Sequence, residues 1–189
     1  MAFNLTDFRS SFSNNGEPAS PANFEVSVTR KPQAGFASNA NLTMEKLLPF
    51  RCISCSLPGK MMNTIERSTY GPNRKVVTSS LYQDVTFSFI VSDDKSELDY
   101  FGRWQNYIID NYEDSVSSAN SHDVRYYDEY VGDIKISHLD KQNEIKYTIS
   151  LLEAYPISVE EIPLSWENNN EFIRVNVTVA YRNWVKIIW

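Results

Sequence analysis

Residues 173–182 read IRVNVTVAYR, a regular alternation of apolar and polar side chains. Successive side chains of a β-strand point to opposite faces of the sheet, so this pattern predicts a strand with one dry face and one wet face. The dry face comprises Ile173, Val175, Val177, Val179 and Tyr181, and the wet face comprises Arg174, Asn176, Thr178 and Arg182. Such a strand is typical of an antiparallel sheet that covers a core on one side.

The same two-residue period recurs along the chain and predicts a mainly β protein. Further strands are predicted at residues 24–28, 50–57, 85–91, 130–139 and 145–154. One principal α-helix separates the third of these from the fourth. Many antiparallel strands with one long helix favour a β-sandwich or barrel whose open end or edge is covered by that helix.

The principal helix is predicted to begin near Ser96, because Ser96 and Asp99 have the spacing of a capping box. The Ser- and Asn-rich residues 114–123 end its pattern. Its core face is predicted to hold Leu98, Phe101, Gln105, Ile108 and Tyr112, with Trp104 and Tyr107 beside them. A helix of this kind buries one apolar stripe against the sheet.

A single domain spanning residues 1–189 is predicted, because 189 residues with 42% hydrophobic side chains usually form one core and no repeat or linker divides them. A short N-terminal helix is expected from the helical spacing of Leu5, Phe8 and Phe12. Three segments are expected to depart from the compact unit: an inserted loop at 31–48, a projecting hairpin arm at 60–80, and a C-terminal extension at 183–189. The arm is predicted to turn at Gly71-Pro72-Asn73.

The charge of the chain argues against nucleic-acid binding. Its 18 Lys and Arg residues are outnumbered by 24 Asp and Glu residues, which gives a formal net charge of −6. Proteins that track phosphates need a basic surface, so no specific DNA binding is expected. No signal peptide and no run of 18 apolar residues occurs, so membrane insertion is not expected either.

The two cysteines form Cys52-Ile-Ser-Cys55, a spacing found in redox and zinc sites. A redox pair should open a helix, whereas this segment reads as a strand on which positions three apart face opposite sides. A zinc site would lack ligands, because His122 and His138 are isolated. Both cysteines are therefore predicted to be small apolar strand residues.

No catalytic, cofactor-binding or metal site is predicted, because no nucleophile lies beside a base and no glycine-rich phosphate loop occurs. The adjacent pair Glu160-Glu161 would diverge on an extended chain, and Asp93-Asp94 places negative charge at a helix N-terminus. A cation site at Asp110, Glu113 and Asp114 lacks the spacing of a calcium loop. Solvated or capping roles are predicted for all of these carboxylates.

The most specific feature is PISVEEIPLSWENNNE at 156–171, which follows ISLLEAY at 149–155. It resembles the P-x-x-V-x-E-L/I-x-L-x-W-D/E-x-N-N-E segment of the tail tube proteins of contractile-tailed phages. The likeness extends to shorter pieces elsewhere: LTDF at 5–8, ANFEV at 22–26, CISCSLP at 52–58, VTF at 85–87 and FGRWQ at 101–105. Residues 31–48 are longer than the usual first hairpin of that family, and residues 183–189 extend beyond its customary end.

This resemblance implies a structural virion protein, not an enzyme, and no cofactor. It implies a protomer whose sheets join those of its neighbours in a hexameric ring, with rings stacked into a tail tube that conveys the phage DNA. The implied partners are further copies of the chain, the tail sheath, the baseplate, the tail terminator and the tape measure protein in the lumen. Assembly would take place in the host cytoplasm. A baseplate protein that initiates the tube, a ring protein of a secretion or injection machine and, remotely, an enzyme on a similar barrel are the alternatives.

Subunit contacts are predicted on exposed apolar side chains of the arm and the chain ends. The arm candidates are Met61, Met62, Ile65 and Tyr70, and the terminal candidates are Phe3, Phe8, Trp184, Ile188 and Trp189. The alternatives are an ordinary surface loop for the arm and burial within the protomer for the ends. Between strands, Trp166 is predicted to be a buried anchor, and Pro156 and Pro163 are predicted to stop ladder pairing.

Overall fold

The computed structural model describes residues 5, 10, 20–30, 39–68, 70–109, 124–166 and 171–187. These residues contain three helices: α1 (Asn39–Arg51), α2 (Ser96–Ile108) and α3 (Tyr127–Tyr130). They also contain nine strands: β1 (Phe24–Arg30), β2 (Cys52–Cys55), β3 (Lys60–Arg67), β4 (Arg74–Tyr82), β5 (Val85–Ile90), β6 (Gly132–Leu139), β7 (Ile145–Val159), β8 (Arg174–Ala180) and β9 (Asn183–Ile187).

Seven of these strands form one antiparallel sheet in the order β1-β6-β7-β8-β5-β2, with β9 paired to β7. Within the described residues, β3 and β4 pair with each other and with no further strand. The predicted mainly β, antiparallel fold is therefore confirmed. The hairpin predicted at 60–80 is confirmed as a separate two-stranded unit.

Strand β7 connects the two halves of the large sheet. Its first part pairs with β6 on one side and β9 on the other, and its last part pairs with β8. Leu152 lies opposite Asn183 and Tyr155 lies opposite Ala180, so β8 and β9 occupy the same side of β7. The break between them falls at Glu153, whose φ of 55° bends the strand. Arg182 donates a 2.8 Å hydrogen bond to the Glu153 carboxylate across this bend.

The core lies between the two halves of the folded sheet. Alternate valines, isoleucines and phenylalanines of β1, β5, β6 and β8 are buried, as their periodicity predicted. The helix α2 adds Tyr100, Phe101 and Trp104, and the indole Nε1 of Trp104 donates a 2.9 Å hydrogen bond to the Tyr130 carbonyl. Complete burial of one such side chain contributes roughly 1.5–3 kcal/mol. The helix therefore closes the sandwich, and its position is fixed by aromatic packing.

The predicted start of α2 at Ser96 is confirmed, but the capping box is wrong. The residue before the helix is Lys95, which has a φ of 53° and makes no side-chain cap. Ser96 is the first helical residue, and its hydroxyl donates to the Asp94 carboxylate at 3.2 Å. The chain enters the helix through a left-handed residue, so Ser96 cannot occupy the position before the first turn.

A buried ion pair joins α1 to α2. The Glu97 side chain is fully buried and its carboxylate pairs with the guanidinium of Arg51, the last residue of α1. The same carboxylate accepts hydrogen bonds from the Ser92 amide at 3.0 Å and the Ser92 hydroxyl at 2.9 Å. Sequence reasoning missed this pair, because glutamate is almost always at the surface. Its full complement of donors makes the burial possible.

The loop predicted at 31–48 is wrong for residues 39–48, which belong to α1. Residues 31–38 lie outside the described part of the chain. Met44 and Leu48, one helical turn apart, are buried and hold α1 on the core. The strand predicted at 50–57 shortens to β2 for the same reason, since α1 continues to Arg51. Pro49 in the last turn and the polar first turn explain why the helix was not predicted.

Two other strand boundaries differ from prediction. The strand predicted from Tyr130 begins at Gly132, because Tyr127–Tyr130 form α3. Pro156 does not stop β7, which continues to Val159 with Pro156 opposite Val179. The last β6 partner is Ala154, so one side of β7 carries no ladder at Pro156 and a missing N–H is tolerated there.

At the N-terminus, only Leu5 and Ser10 of the predicted short helix are described, and both are helical. Phe8 and Phe12 lie outside the described residues. Among the helices that are described, none combines the length and the apolar character needed to cross a membrane.

Candidate assembly surfaces

The arm, defined as Lys60–Tyr82, is a hairpin whose described side chains are all exposed except that of Tyr82. Its turn contains Gly71 with a φ of 90°, a conformation that glycine adopts without steric cost. The Asn63 amide donates to the Ser79 hydroxyl at 3.3 Å, and the Thr78 hydroxyl donates to the Asn63 carbonyl at 3.1 Å. The hairpin is therefore ordered by its own pairing, without packing on a core.

The two faces of the arm differ in chemistry. Residues directly opposite in the ladder point to the same side, so Met61, Leu81, Ile65 and Val76 share one face. These four side chains are 40–49% exposed, and we call this surface the apolar arm face. The opposite face carries Met62 and Val77 among Lys60, Thr64, Glu66, Lys75 and Ser80. The hydrogen-bonded pair Asn63–Ser79 lies on the apolar arm face between the Met61–Leu81 and Ile65–Val76 pairs. The arm thus presents one face with two apolar patches and one mixed surface.

Three of the four predicted arm candidates are divided between these surfaces. Met61 and Ile65 lie on the apolar arm face, Met62 lies on the opposite face, and Tyr70 is fully exposed at the turn. Val76 and Leu81 were missed. A register shift after Asn63 leaves Thr78 unpaired and moves Val76, in place of Val77, to the side of Leu81. Simple alternation along β4 could not reveal this change.

The root of the arm is attached to the large sheet by aromatic side chains. The rings of Tyr82 and Tyr181 lie 6.1 Å apart, and the Lys60 ammonium stands 5.8 Å from the Tyr82 ring centre. Tyr181 immediately follows β8, so the arm leaves the sheet at the end where β8 finishes. Aromatic contacts of this kind stabilise by about 0.5–1.5 kcal/mol beyond burial. The direction in which the arm projects is set here.

The connector, defined as residues 160–166 and 171–173, links β7 to β8, and its side chains are exposed except that of Ile162. Trp166 was predicted to be a buried anchor, and this is wrong, because its side chain is 98% exposed. Leu164 and Phe172 are each 79% exposed. Two hydrogen bonds fix the start of the connector. The side-chain amide of Asn176 donates to the Glu160 carboxylate at 2.8 Å, and the backbone N–H of Glu160 donates to the backbone carbonyl of Asn176 at 2.9 Å. Ile162 still packs half-buried against the core, whereas Trp166, four residues further on, lies in solvent.

Of the terminal candidates, only Trp184 is described. It lies in β9 opposite Leu151 and packs half-buried against the core, with an indole Nε1 that finds no hydrogen-bond partner among the described residues. Phe3, Phe8, Ile188 and Trp189 lie outside those residues. The C-terminal extension predicted at 183–189 is therefore, over Asn183–Ile187, a strand of the large sheet.

The large sheet leaves strand edges open. β1 and β2 stand at its two ends, and each pairs on one side only within the described chain. β9 likewise has β7 as its one described neighbour. At the last part of β7, the ring of Tyr155 contacts those of Tyr127 and Tyr130 in α3, and the three ring centres lie 5.3–6.2 Å apart. Exposed edges are ready to pair with strands of another chain.

The cysteine pair differs from prediction in one respect. Cys52 and Cys55 lie on β2 as expected, but a register shift between Cys52 and Ser54 turns both toward the core. Burial, together with the neighbouring Cys55, raises the pKa of Cys52 to about 12, and burial raises the pKa of Cys55 to about 11. A raised pKa keeps a thiol protonated, and the protonated form is a poor nucleophile and metal ligand.

We therefore expect slow alkylation of the folded protein by iodoacetamide at pH 8, with a rate that rises as the pH approaches 11. Unfolding in guanidinium should return both thiols toward the ordinary pKa of 9.0 and raise the thiolate fraction roughly a hundredfold to a thousandfold. Mass spectrometry of the quenched protein measures both rates. Equal rates in the folded and unfolded states would show that the thiols are accessible.

The remaining reactive side chains of the described chain do not converge. His138 Nε2 lies 2.7 Å from the Ser20 carbonyl, and the Glu97 carboxylate forms an ion pair with Arg51. No group of three or more His, Cys, Asp or Glu side chains that could hold a metal ion occurs among these residues. His122, Asp110, Glu113 and Asp114 lie outside them. In the described part of the chain, the apolar arm face and the connector expose apolar side chains, and the edges of β1, β2 and β9 expose unpaired backbone.

Comparison with known proteins gives one family and a consistent fold. The family model described as "Phage tail tube protein" matches residues 19–187. No curated protein sequence matches the chain significantly. Two solved structures are similar over most of their length: a PVC sheath-tube complex in the extended state (TM-score 0.59, 19% identity, 98% of this chain and 99% of that chain) and an anti-feeding prophage baseplate (TM-score 0.62, 12% identity, 91% and 97%).

A third similar structure, the PVC sheath/tube terminator in the extended state, has a TM-score of 0.58 at 20% identity and covers 90% of this chain and 97% of that chain. Each likeness concerns the fold, because the identities are low. The chain and its structural relatives share a mainly β, antiparallel architecture with few helices. The fold predicted from the sequence resemblance is thereby confirmed.

Proposed function

We propose that this chain, which belongs to the phage tail tube protein family, is the protomer of hexameric rings that stack into the inner tube of a contractile tail. It is a structural tail tube protein and not an enzyme. In the proposed tube, residues 1–189 act as a single domain. Rings form in the host cytoplasm and stack head to tail, and the finished tube delivers phage DNA from the virion.

The observation that carries the proposal is the family match over residues 19–187. The geometry supports it in two ways. Open edges at β1, β2 and β9 can pair with neighbouring copies, and closure into a ring uses up such edges without aggregation. The arm exposes an apolar face that finds no cover in the described part of its own protomer. Both features fit a subunit that is completed by its neighbours.

The net charge of −6 suits a channel for DNA. A basic lumen would retain DNA through phosphate contacts, whereas an acidic protein lets the duplex slide without specific binding. The likeness to chains in sheath-tube, terminator and baseplate structures supports partners of the same kinds here. We extend this to the tail sheath, tail terminator and baseplate outside the tube, and to a tape measure protein within its lumen.

A second candidate is a baseplate protein that initiates the tube, or a tube ring protein of a secretion or injection system, because the chains in the anti-feeding prophage baseplate and the PVC sheath-tube complex are similarly close in fold. A tube protomer and an initiator would both form rings through the same contacts, and they differ in the number of copies per particle. Mass spectrometric quantification of purified particles separates them. A tube protomer is present in many rings per particle, whereas an initiator is confined to very few.

The purified protein should form rings and, at higher concentration, tubes. Light scattering after size-exclusion chromatography should give a species of six times the 21.8 kDa protomer mass, and negative-stain electron microscopy should show rings with a central hole. Dilution should dissociate tubes before rings, because ring closure also satisfies strand edges. A strictly monomeric species at high concentration would contradict the proposal.

A further inference from the structure

The arm and the connector lie at opposite ends of the same pair of strands. The arm ends at Tyr82, beside the end of the β5–β8 ladder where Val85 faces Val179. The connector ends at Ile173, beside the other end, where Ile90 faces Arg174. The Val91 amide donates to the Ile173 carbonyl at 2.9 Å and fixes the connector there. A ladder of this length separates the two surfaces by about 20 Å.

Both surfaces carry large apolar side chains that are exposed in the protomer. The apolar arm face holds Met61, Ile65, Val76 and Leu81, and the connector holds Leu164, Trp166 and Phe172. Trp166 stands 98% exposed, although tryptophan is among the side chains most enriched at the centres of interfaces. Each surface is therefore suited to burial against another molecule.

Their charges are opposite. The apolar arm face ends at its tip in Arg67 and Arg74, which lie directly opposite each other in the ladder. Like charges in that position destabilise a hairpin, and neither arginine has a carboxylate within ion-pair distance in the described chain. Residues 160–173, by contrast, contain four glutamates and no lysine or arginine. Glu160, Glu161 and Glu171 are exposed.

Two complementary surfaces at opposite ends of one protomer define a head-to-tail contact. A contact between two unlike surfaces does not close on itself as a twofold dimer does; it repeats either around a ring or along an open stack. Because the arm and the connector lie at opposite ends of the β5–β8 ladder, their contact favours the stack. The arm does not cover the connector of its own chain, because the apolar arm face is exposed along its length in the protomer. The occupant whose apolar surface and charge match the connector is a second copy of this chain.

We propose that the arm of one copy docks through its apolar face on the connector of a copy in the adjacent ring. Ile65 and its neighbours cover Leu164, Trp166 and Phe172, while Arg67 and Arg74 meet Glu161 and Glu171. This inference rests on the proposed tube function and adds the receiving surface for the arm. It also gives the stack its polarity, because every arm points toward the same end.

Two charge-reversed variants test the docking. One carries Arg67→Glu and Arg74→Glu in the arm, and the other carries Glu161→Lys and Glu171→Lys in the connector, leaving the Glu160–Asn176 contact intact. Each variant alone should form rings, but the yield of sedimentable tubes should fall by about tenfold or more, because like charges oppose each other at every docking contact. Electron microscopy and sedimentation measure rings and tubes separately.

An equimolar mixture of the two ring preparations should restore tubes, since each reversed arm then meets a reversed connector. Restoration by mixing excludes misfolding of either variant as the cause of the loss. Tubes of wild-type yield from the connector variant alone would overturn the docking and indicate that an outside partner, such as a sheath subunit, covers the connector. Failure of the mixture would also overturn it. Wild-type protein without rings would instead refute the proposed function, on which the docking depends.

Discussion

Replacement of Ile65 and Leu81 by aspartate should leave the protomer folded and abolish tube formation. Both side chains lie on the apolar arm face, one on each strand of the hairpin, and both are exposed in the protomer. A carboxylate buried in an apolar contact without a partner costs several kcal/mol, and stacking repeats that cost at every arm of a ring. Sedimentation should find the variant in the ring fraction at concentrations where the wild type forms tubes.

The matched control shifts both substitutions by one residue, to Thr64→Asp and Ser80→Asp. These positions carry the same change of charge, again one on each strand, but lie on the opposite, mixed face of the arm. Tube yield should stay close to that of the wild type. Circular dichroism should be unchanged in both variants, because the arm contributes nothing to the core. Equal loss of tubes from the two variants would exclude a specific role for the apolar arm face.

Replacement of Glu97 by alanine should lower the free energy of unfolding by about 3–5 kcal/mol, because it leaves the Arg51 guanidinium and the Ser92 amide without their buried acceptor. For a protein of this size the midpoint of thermal unfolding should fall by about 10 °C or more. Differential scanning calorimetry measures the change. The Ile65→Asp and Leu81→Asp background is the right one, since tube assembly would otherwise add to the apparent stability.

Asp99 provides the control on the same helix. Its side chain is exposed, so Asp99→Ala should change the free energy of unfolding by no more than about 0.5 kcal/mol. Glu97→Gln should be intermediate, because the amide keeps an acceptor for Ser92 but loses the charge opposite Arg51. A thermal midpoint for Glu97→Ala equal to that of the starting protein would show that the ion pair contributes nothing.

The strands that form the core were predictable, because their side chains alternate between the apolar interior and water. Val26 and Val28 in β1, Phe87 and Phe89 in β5, and the valines of β8 are buried as the period requires. The presence of α2 was predictable for a similar reason, since Phe101 and Trp104 recur at helical spacing, whereas its start was predicted from a capping box that the structure does not contain. The spacing of apolar residues shows which face of a strand or helix is buried, and each of these elements has one buried face.

Features that depend on a second segment were not predictable. Helix α1 buries only a short stripe around Met44 and Leu48, and Pro49 in its last turn argues for a break. Glu97 is buried because Arg51, far away in sequence, neutralises it. The shifts of register in β2 and β4, which turn Cys55 and Val76, depend on the partner strand.

The connector shows a different limit of sequence reasoning. The pattern around Trp166 was interpreted as burial within the protomer, and the structure places this side chain in solvent. A tryptophan among polar residues is compatible with burial in the protomer, contact with another molecule or exposure, and the sequence pattern does not distinguish between them. The arm candidates Met61 and Ile65 could be recognised as exposed because they occur in a hairpin with no core beneath it.

The pairing of β7 with both β8 and β9 also determines when a newly made chain can become an assembly subunit. Strand β5 emerges from the ribosome about 90 residues before its partner β8, and the side of β7 that receives β8 and β9 is unpaired until residues 174–187 have been synthesised. Pairing between such distant segments is slow to form. The two ends of the β5–β8 ladder, and with them the arm and connector, are brought into place by this late step. The arm and the connector can therefore take up their relative positions only after β8 has been synthesised.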